Sequence, residues 1–314
     1  MIKFSICIPA FKSLYLQRCI ASVLEQTVSE FELIILNDCS PEPVEAIVQQ
    51  FEDDRIHYYC NDTNVGAIKL VENWNKCLDL AQGEYIMIMG DDDELEPNYL
   101  TAFSELIQRY PQLDVYHCRS KIIDDQGKIQ MLTPACPDFE YVYDSIWHRL
   151  EQYRSNYISD FVYRTAALRS QGGFYNLPLA WGSDDITAFR ATGTKGIAHT
   201  NKSVFRYRSN ALSITSTGNS GIKMEANLAY ATWLHHFLLH TPADNEQLIV
   251  QKYLCQHQKR LMRARKRYTM VLSMQRMRLK KFWFWLKNRN KYQLQLTDIV
   301  IAAVKSAKTS RHPI

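Results

Sequence analysis

Residues 85–97 run Tyr-Ile-Met-Ile-Met-Gly-Asp-Asp-Asp-Glu-Leu-Glu-Pro, an apolar stretch ending on three consecutive aspartates, Asp91, Asp92 and Asp93. Adjacent carboxylates repel one another, so a fold keeps three together mainly where a cation or strong donors gather. The apolar run reads as a buried strand, and α/β sheets bind ligands beyond the carboxyl ends of their strands. The simplest reading is a divalent-metal site serving an anionic, phosphorylated ligand. The plainer alternative is a solvated acidic turn that caps the next helix. A second acidic pair, Asp184-Asp185, follows Trp181-Gly182-Ser183 and fits the cap of a helix starting near Ile186.

The elements that must position these groups alternate. Short β runs at Phe4–Pro9, Phe31–Leu36, Ile56–Cys60 and Tyr85–Met89 are separated by helical spacing over 14–26, 43–51 and 67–81. Strand-helix alternation of this kind implies right-handed βαβ units and a mostly parallel, Rossmann-like sheet with flanking helices, an α/β fold. A helix over 98–109 and a strand near Val115–Cys118 follow, then a turn at Asp124-Asp125-Gln126-Gly127. Residues 155–215 read as short strands and loops. From about 222 the chain reads helical, with Ala226, Tyr230, Trp233 and Phe237 on one core-facing side.

A chain of 314 residues has material for about two domains and a sizeable core. At 46% hydrophobic and 22% charged it is globular rather than disordered. No apolar run is long enough to span a bilayer, and the N-terminus carries no signal-peptide pattern. Eight cysteines without a CxxC pair, several in apolar runs (Cys7, Cys118), suggest reduced thiols in a cytosolic protein, neither disulfides nor a zinc site. His235, His236 and His240 have helical spacing but no evident partners for a metal.

The net charge of +4 hides an asymmetry. Residues 250–314 hold 17 Lys+Arg and one acidic residue, Asp298, whereas residues 1–249 carry a net −12. Within the basic segment Leu279, Phe282, Trp283 and Leu286 follow i, i+3, i+4, i+7 spacing and would form one apolar stripe between cations. Such a stripe suits an anionic membrane surface, reached through residues 255–290. The alternative is a helical extension packed on the rest of the protein. No nucleic-acid motif accompanies the charge, so a nucleic-acid partner is not expected.

Five short elements, in order, resemble the family 2 glycosyltransferases with their nucleotide-sugar-binding GT-A fold: Ile8-Pro9-Ala10-Phe11, Asn37-Asp38-Cys39-Ser40, Asn64-Val65-Gly66, Gly83-Glu84-Tyr85 leading to Gly90-Asp91-Asp92-Asp93, and Ser183-Asp184-Asp185. The resemblance covers roughly residues 3–215. It implies a GT-A catalytic domain over 1–220, with a nucleotide-binding half (1–100) and an acceptor-binding half (101–220), followed by a helical, basic region over 221–314.

The same resemblance implies roles for single residues. Pro9, Ala10 and Phe11 would hold base and ribose, and Asp38 would accept from a pyrimidine ring N–H. Lys69 would offset charge near the nucleotide. The run matches the family's metal-binding Asp-x-Asp, with Asp92 and Asp93 on Mg²⁺ or Mn²⁺ and Asp91 standing in where Gly90 replaces a first aspartate. Asp184, six residues before Arg190, matches the general base, with Asp185 in reserve. Arg206-Tyr207-Arg208 with Ser213 resembles a segment near the diphosphate. Apart from the resemblance, the ring of Trp181 could offer the acceptor sugar a stacking face, a core position being the alternative.

The activity so implied is metal-dependent, inverting transfer from a nucleoside-diphosphate sugar, with a UDP-sugar first among donors, to a saccharide or lipid-linked acceptor. Surface polysaccharide or lipopolysaccharide synthesis is the expected setting, with the enzyme cytoplasmic and peripheral at the inner face of the cell membrane. Two other classes remain open. A sugar-nucleotide-forming nucleotidyltransferase would want a glycine-rich loop after the first strand, where this chain has Pro9-Ala-Phe-Lys-Ser13. A non-catalytic nucleotide-sugar or membrane-binding module would not need Asp38, Asp92 and Asp184 together.

Overall fold

In the computed structural model, which describes residues 3–309 apart from 211, 212 and 218, the apolar runs become a single mixed sheet. Its strands are β1 (Phe4–Ala10), β2 (Phe31–Asn37), β3 (Ile56–Cys60), β4 (Tyr85–Ile88), β5 (Glu94–Leu95), β6 (Val115–Ile123), β7 (Ile129–Leu132), β8 (Phe139–Glu140), β9 (Phe161–Arg164) and β10 (Ile197–Arg208). The spatial order is β3-β2-β1-β4-β9-β6-β10-β5, with β7 beside β6 and β8 beside β10. β1 to β4 form an all-parallel block, and β6 and β10 are parallel to each other. β9 runs antiparallel between β4 and β6 and joins the two parts.

The parallel strands are apolar on both faces because helices cover both. One core packs Ile6, Ile8, Leu33 and Ile35 against the helix Leu16–Leu24 and the helix Tyr99–Arg109. The opposite face packs Cys7, Ile34, Ile86 and Ile88 against Val71, Trp74 and Cys77 of the helix Leu70–Leu80. All eight cysteines are free thiols, Cys7 and Cys118 buried among them.

The expectation of short strands and loops over 155–215 needs correcting. This stretch holds the helix Ser183–Thr192 and the twelve-residue strand β10. The helix begins at Ser183, so Asp184 and Asp185 lie in its first turn rather than ahead of it. Gly182 makes that start possible. It caps the helix at φ 98°, and a Cβ there would collide with Arg265 and Tyr230.

The basic region is packed. Ala226, Tyr230 and Leu234 of the helix Ser220–Phe237 share a core with Ile146, Ile186 and Phe189 and with Leu254, Leu261 and Met262 of the long helix Asn245–Lys287. A further cluster encloses Trp285 with Met270, Met274 and Tyr292. The single apolar stripe does not form. A break at Met277 (φ −141°, ψ 60°) re-aims the last turns of the helix. Phe282 and Leu286 turn half inward, Leu279 and Trp283 stay exposed, and the buried tryptophan of this segment is Trp285. Part of the positive charge is also used internally: Arg263 and Arg267 both reach Asp298, and Arg260 reaches Glu151. Among the described residues no helix is long and apolar enough to cross a membrane.

Candidate active site

The carboxyl ends of β1, β2 and β4 open into a cavity of about 1080 Å³. Asp38, Asp91, Asp92, Asp93 and Asp184 all line it, so residues up to 146 positions apart in sequence are brought together. Pro9, Phe11, Trp181, Tyr207 and Ser213 line it as well. Phe11 is exposed to the cavity rather than packed in the core.

The three aspartates of the run do different work. Asp91 is buried and accepts hydrogen bonds from the backbone N–H groups of Phe11 (2.9 Å) and Lys12 (2.7 Å), which fixes the turn after β1. Asp93 is buried too and accepts from the Arg208 backbone N–H at 2.8 Å. Burial, and then the neighbouring charge of Asp92, push its carboxyl well above the usual range. Asp92 is the least buried of the three, and there Asn210 Nδ2 donates to it at 2.5 Å and Lys12 Nζ approaches to 3.4 Å. Gly90 shows where the run converges. A Cβ on it would lie 2.7 Å from Asp93 Oδ2 and 3.2 Å from Asp92 Oδ1. A side chain at Gly90 would therefore crowd both carboxylates in this conformation, and the hard oxygen donors of Asp92 and Asp93 are of the type that Mg²⁺ or Mn²⁺ takes.

Asp38 holds the loop after β3. Its Oδ1 accepts from Asn61 Nδ2 (2.8 Å) and the Val65 N–H (3.0 Å), its Oδ2 from Asn64 Nδ2 (3.0 Å) and the Gly66 N–H (3.2 Å). A carboxylate has about four lone-pair positions, so all are taken and a base N–H would have to displace one of these donors. The sequence Asn64-Val65-Gly66 is thus read structurally as the partner of Asp38.

The acidic pair divides sharply. Asp185 is fully buried between two guanidinium groups, Arg149 Nε at 2.7 Å and Arg265 Nη1 at 3.3 Å, and Asn156 Nδ2 lies at 3.3 Å. That cage removes it as the reserve base: it has no face toward the cavity. Asp184 does face the cavity. Burial, followed by the charge of Asp185, pushes its carboxyl up to about 7, against the pull of Arg149 and Arg265. A carboxyl poised there can take a proton near neutral pH.

Other expectations fail on position. Ala10 is buried beneath the cavity, and only its carbonyl takes part, accepting from the Asp38 N–H at 2.9 Å. Lys69 points away and pairs with Glu72 of its own turn at 3.2 Å, as helical neighbours do. Arg190, which in sequence only sets the register of Asp184, binds the Gln171 carbonyl. Arg208 is wholly buried, bonded to Glu94 and to the Asp92 carbonyl (2.8 Å), and supports the aspartate run from behind.

Several contributors carry no local signal in sequence. Arg149, Arg265 and Tyr268 line the cavity from helices far along the chain. Tyr157 stacks on Tyr207 with ring centroids 3.8 Å apart and makes one wall. The helix Val142–Leu150, which carries Arg149, breaks the pattern of the first hundred residues and is found only through its partners.

Known proteins share this architecture. The crystal structure of residues 1–349 of Staphylococcus aureus TarS in complex with UDP-GlcNAc superposes with a TM-score of 0.67, covering 98% of this chain and 92% of that one at 16% identity. At that identity the likeness is one of fold, the GT-A fold with a helical C-terminal region. A putative colanic acid biosynthesis glycosyl transferase, WcaA, of Escherichia coli (strain K12) is 46% identical over 88 residues, 27% of this chain and 30% of that protein. The GalNAc(5)-diNAcBac-PP-undecaprenol beta-1,3-glucosyltransferase of Campylobacter jejuni is 31% identical over 132 residues, 41% of each. The matched stretches thus span less than half the length of these curated relatives. The family model for glycosyl transferase family 2 matches residues 5–177, more than half the chain and the part that holds β1 to β9 and the aspartate run. By that match the chain belongs to glycosyl transferase family 2.

Proposed function

We propose that the chain transfers a sugar from a nucleoside-diphosphate sugar, a UDP-sugar in the first instance, to an acceptor hydroxyl with inversion at the anomeric carbon. The observation that carries this reading is the sharing of one cavity by the Asp92–Asp93 pair and Asp184. The UDP-GlcNAc bound in the TarS structure supports the donor class. The relatives named for colanic acid and for an undecaprenol-linked saccharide support surface polysaccharide or lipopolysaccharide synthesis as the setting.

Asp92 and Asp93 would hold Mg²⁺ or Mn²⁺, which when bound offsets the charge of the departing nucleoside diphosphate. Asp184 accepts the proton of the acceptor hydroxyl as that oxygen bonds to the anomeric carbon. The bond from that carbon to the diphosphate oxygen breaks on the opposite face, and its electron pair leaves with the nucleotide. Lys12, held beside Asp91 and Asp92, adds a cation at the same end of the cavity. Trp181, whose ring carries Lys223 Nζ at 4.5 Å on one face, sits at the acceptor side.

A thermal-shift panel of nucleoside diphosphates with and without Mn²⁺ tests the donor half, because ligand binding to the native state raises its melting temperature. One diphosphate should raise it strongly with Mn²⁺ and little with EDTA, and Asp92→Asn should remove the difference. Nucleotide affinity indifferent to both EDTA and Asp92→Asn would overturn the metal assignment.

Peripheral attachment to the anionic inner face of the cell membrane belongs to the same proposal. Leu279 (77% exposed) and Trp283 (64% exposed) project from the turn after the break at Met277, among the exposed Arg278, Lys280 and Lys287. An apolar corner ringed by cations suits a lipid surface and would hold the cavity near a lipid-linked acceptor.

A further inference from the structure

Where β6 and β10 pair, three side chains meet that the proposed transfer does not use. His117 of β6 and His199 of β10 are register partners on neighbouring parallel strands. Their Nδ1 atoms face each other at 3.1 Å. Cys136, from the segment between β7 and β8, joins them so that one ligand atom from each residue lies within 4.8 Å of the others. None of the three lines the active-site cavity.

The surroundings are built rather than incidental. Asn201 clamps the cysteine segment from both sides: its Oδ1 accepts from the Cys136 N–H and its Nδ2 donates to the Cys136 carbonyl, each at 2.9 Å. The far nitrogen of each imidazole faces a buried carboxylate. His199 Nε2 is 3.1 Å from Glu140 Oε1, and Glu140 is itself held by Arg154. His117 Nε2 is 3.7 Å from Asp160 Oδ2 and has no hydrogen-bond partner among the described residues. A proton on each Nε2 leaves both Nδ1 lone pairs pointing at one spot. Without an occupant, two acceptor nitrogens cannot both be satisfied at 3.1 Å unless one carries a proton. A carboxylate hydrogen-bonded to the far ring nitrogen, as Glu140 is to His199, is the usual outer layer of a protein metal centre.

We propose that His117 Nδ1, His199 Nδ1 and Cys136 Sγ form a Zn²⁺ site, with water as the fourth ligand. Tetrahedral zinc with bonds of about 2.0–2.1 Å to nitrogen sets two such nitrogens roughly 3.3 Å apart, close to the spacing found. Thiolate and imidazole donors select zinc over Mg²⁺ or Mn²⁺, which take oxygen, so the site is chemically separate from the aspartate run. The sequence hid it because its ligands lie on two strands and a connecting loop, with none of the close Cys and His spacings of a zinc finger. The cation would fasten the 133–138 segment to the sheet. Through Asp160 it would also stiffen the turn carrying Ser159, whose Oγ reaches Asp93 at 3.5 Å.

The test uses the full chain, stripped with a chelator and dialysed against Zn²⁺ alone. Metal analysis should find about one equivalent retained by the wild type and by Asp92→Asn, and none by Cys136→Ser. Co²⁺ loading should give a thiolate-to-cobalt charge-transfer band in the wild type that is absent in Cys136→Ser. Cys136 is half-buried in a loop, so the serine variant should fold; as a check on the intact protein, Zn²⁺ but not Mg²⁺ should slow alkylation of Cys136, read peptide by peptide. Equal zinc content in wild type and Cys136→Ser, or alkylation of Cys136 indifferent to Zn²⁺, overturns the proposal.

Discussion

In residues 1–100 the acidic groups that face the cavity stand where strands end, Asp38 after β2 and Asp91 to Asp93 after β4, with Pro9 and Phe11 at the end of β1 and Asn73 and Trp74 of the helix Leu70–Leu80 beside them. In residues 221–309 the groups that reach it, Arg265 and Tyr268, come from the middle of a 43-residue helix with no motif around them. The first region positions its side chains by backbone: a parallel sheet delivers every strand end to one edge. The second positions them by packing, since Arg265 arrives only because Leu261 and Met262 of the same helix are buried against Ile186 and Phe189. Strand ends can be read locally. A helix docked from far along the chain cannot.

The largest effect should come from separating the two regions. Truncation after residue 255 removes Leu261 and Met262 from the shared core and leaves Asp185 buried with Arg149 alone. Breaking a buried ion pair costs about 3–5 kcal/mol, against a total stability of roughly 5–15 kcal/mol. The truncated chain should be insoluble or melt far below the full chain. Soluble truncated protein that keeps its melting temperature and hydrolyses donor normally would reduce the C-terminal helices to an appendage.

Next comes the pair that joins the regions. Asp184→Asn should lower transfer by about 10²-fold while donor affinity stays near wild type, because a general base contributes in the transition state and not in donor binding. The carboxyl must be ionised to act, and burial and Asp185 hold it up to about 7. Transfer should therefore rise with pH through about 7 and fall below it, a limb that Asp184→Asn abolishes. Asp185→Asn should behave oppositely, losing thermal stability because Arg149 and Arg265 then face each other without the charge between them. An Asp184→Asn enzyme of full activity beside a stable, inactive Asp185→Asn would exchange the two roles.

Much of the nucleotide half was legible because its physics is local. Apolar runs of strand length, a proline closing β1 and three adjacent carboxylates each say something without reference to the rest of the chain. The readings that failed depend on partners elsewhere. Lys69 looked like a nucleotide contact but found Glu72 one turn away. Asp38 lines the cavity, but Asn61, Asn64 and the two backbone N–H groups that bind it could not be read from its own neighbours. Asp184 and Asp185 are indistinguishable as letters, and only the Arg149–Arg265 cage separates them. The stripe over 279–286 assumed an unbroken helix, and neither proline nor glycine marks the break at Met277.

The smallest effect concerns that break, and it sharpens the comparison because it asks what the second region adds beyond packing. Attraction to an anionic surface is worth about 1 kcal/mol per basic residue close to it and is screened by salt. Burying an exposed leucine or tryptophan in lipid adds about 1.5–3 kcal/mol that salt does not screen. Arg260, Arg263, Arg265 and Arg267 are held in ion pairs, so the electrostatic part should come from the corner cations Arg278, Lys280 and Lys287. Full-length protein should therefore co-sediment with anionic vesicles at low salt and in part at high salt. Leu279→Ser/Trp283→Ser, which alters two exposed side chains, should still pellet at low salt but stay in solution at high salt. Identical pelleting of the two proteins at both salts would take the apolar corner out of the membrane argument and leave packing as the whole task of the C-terminal helices.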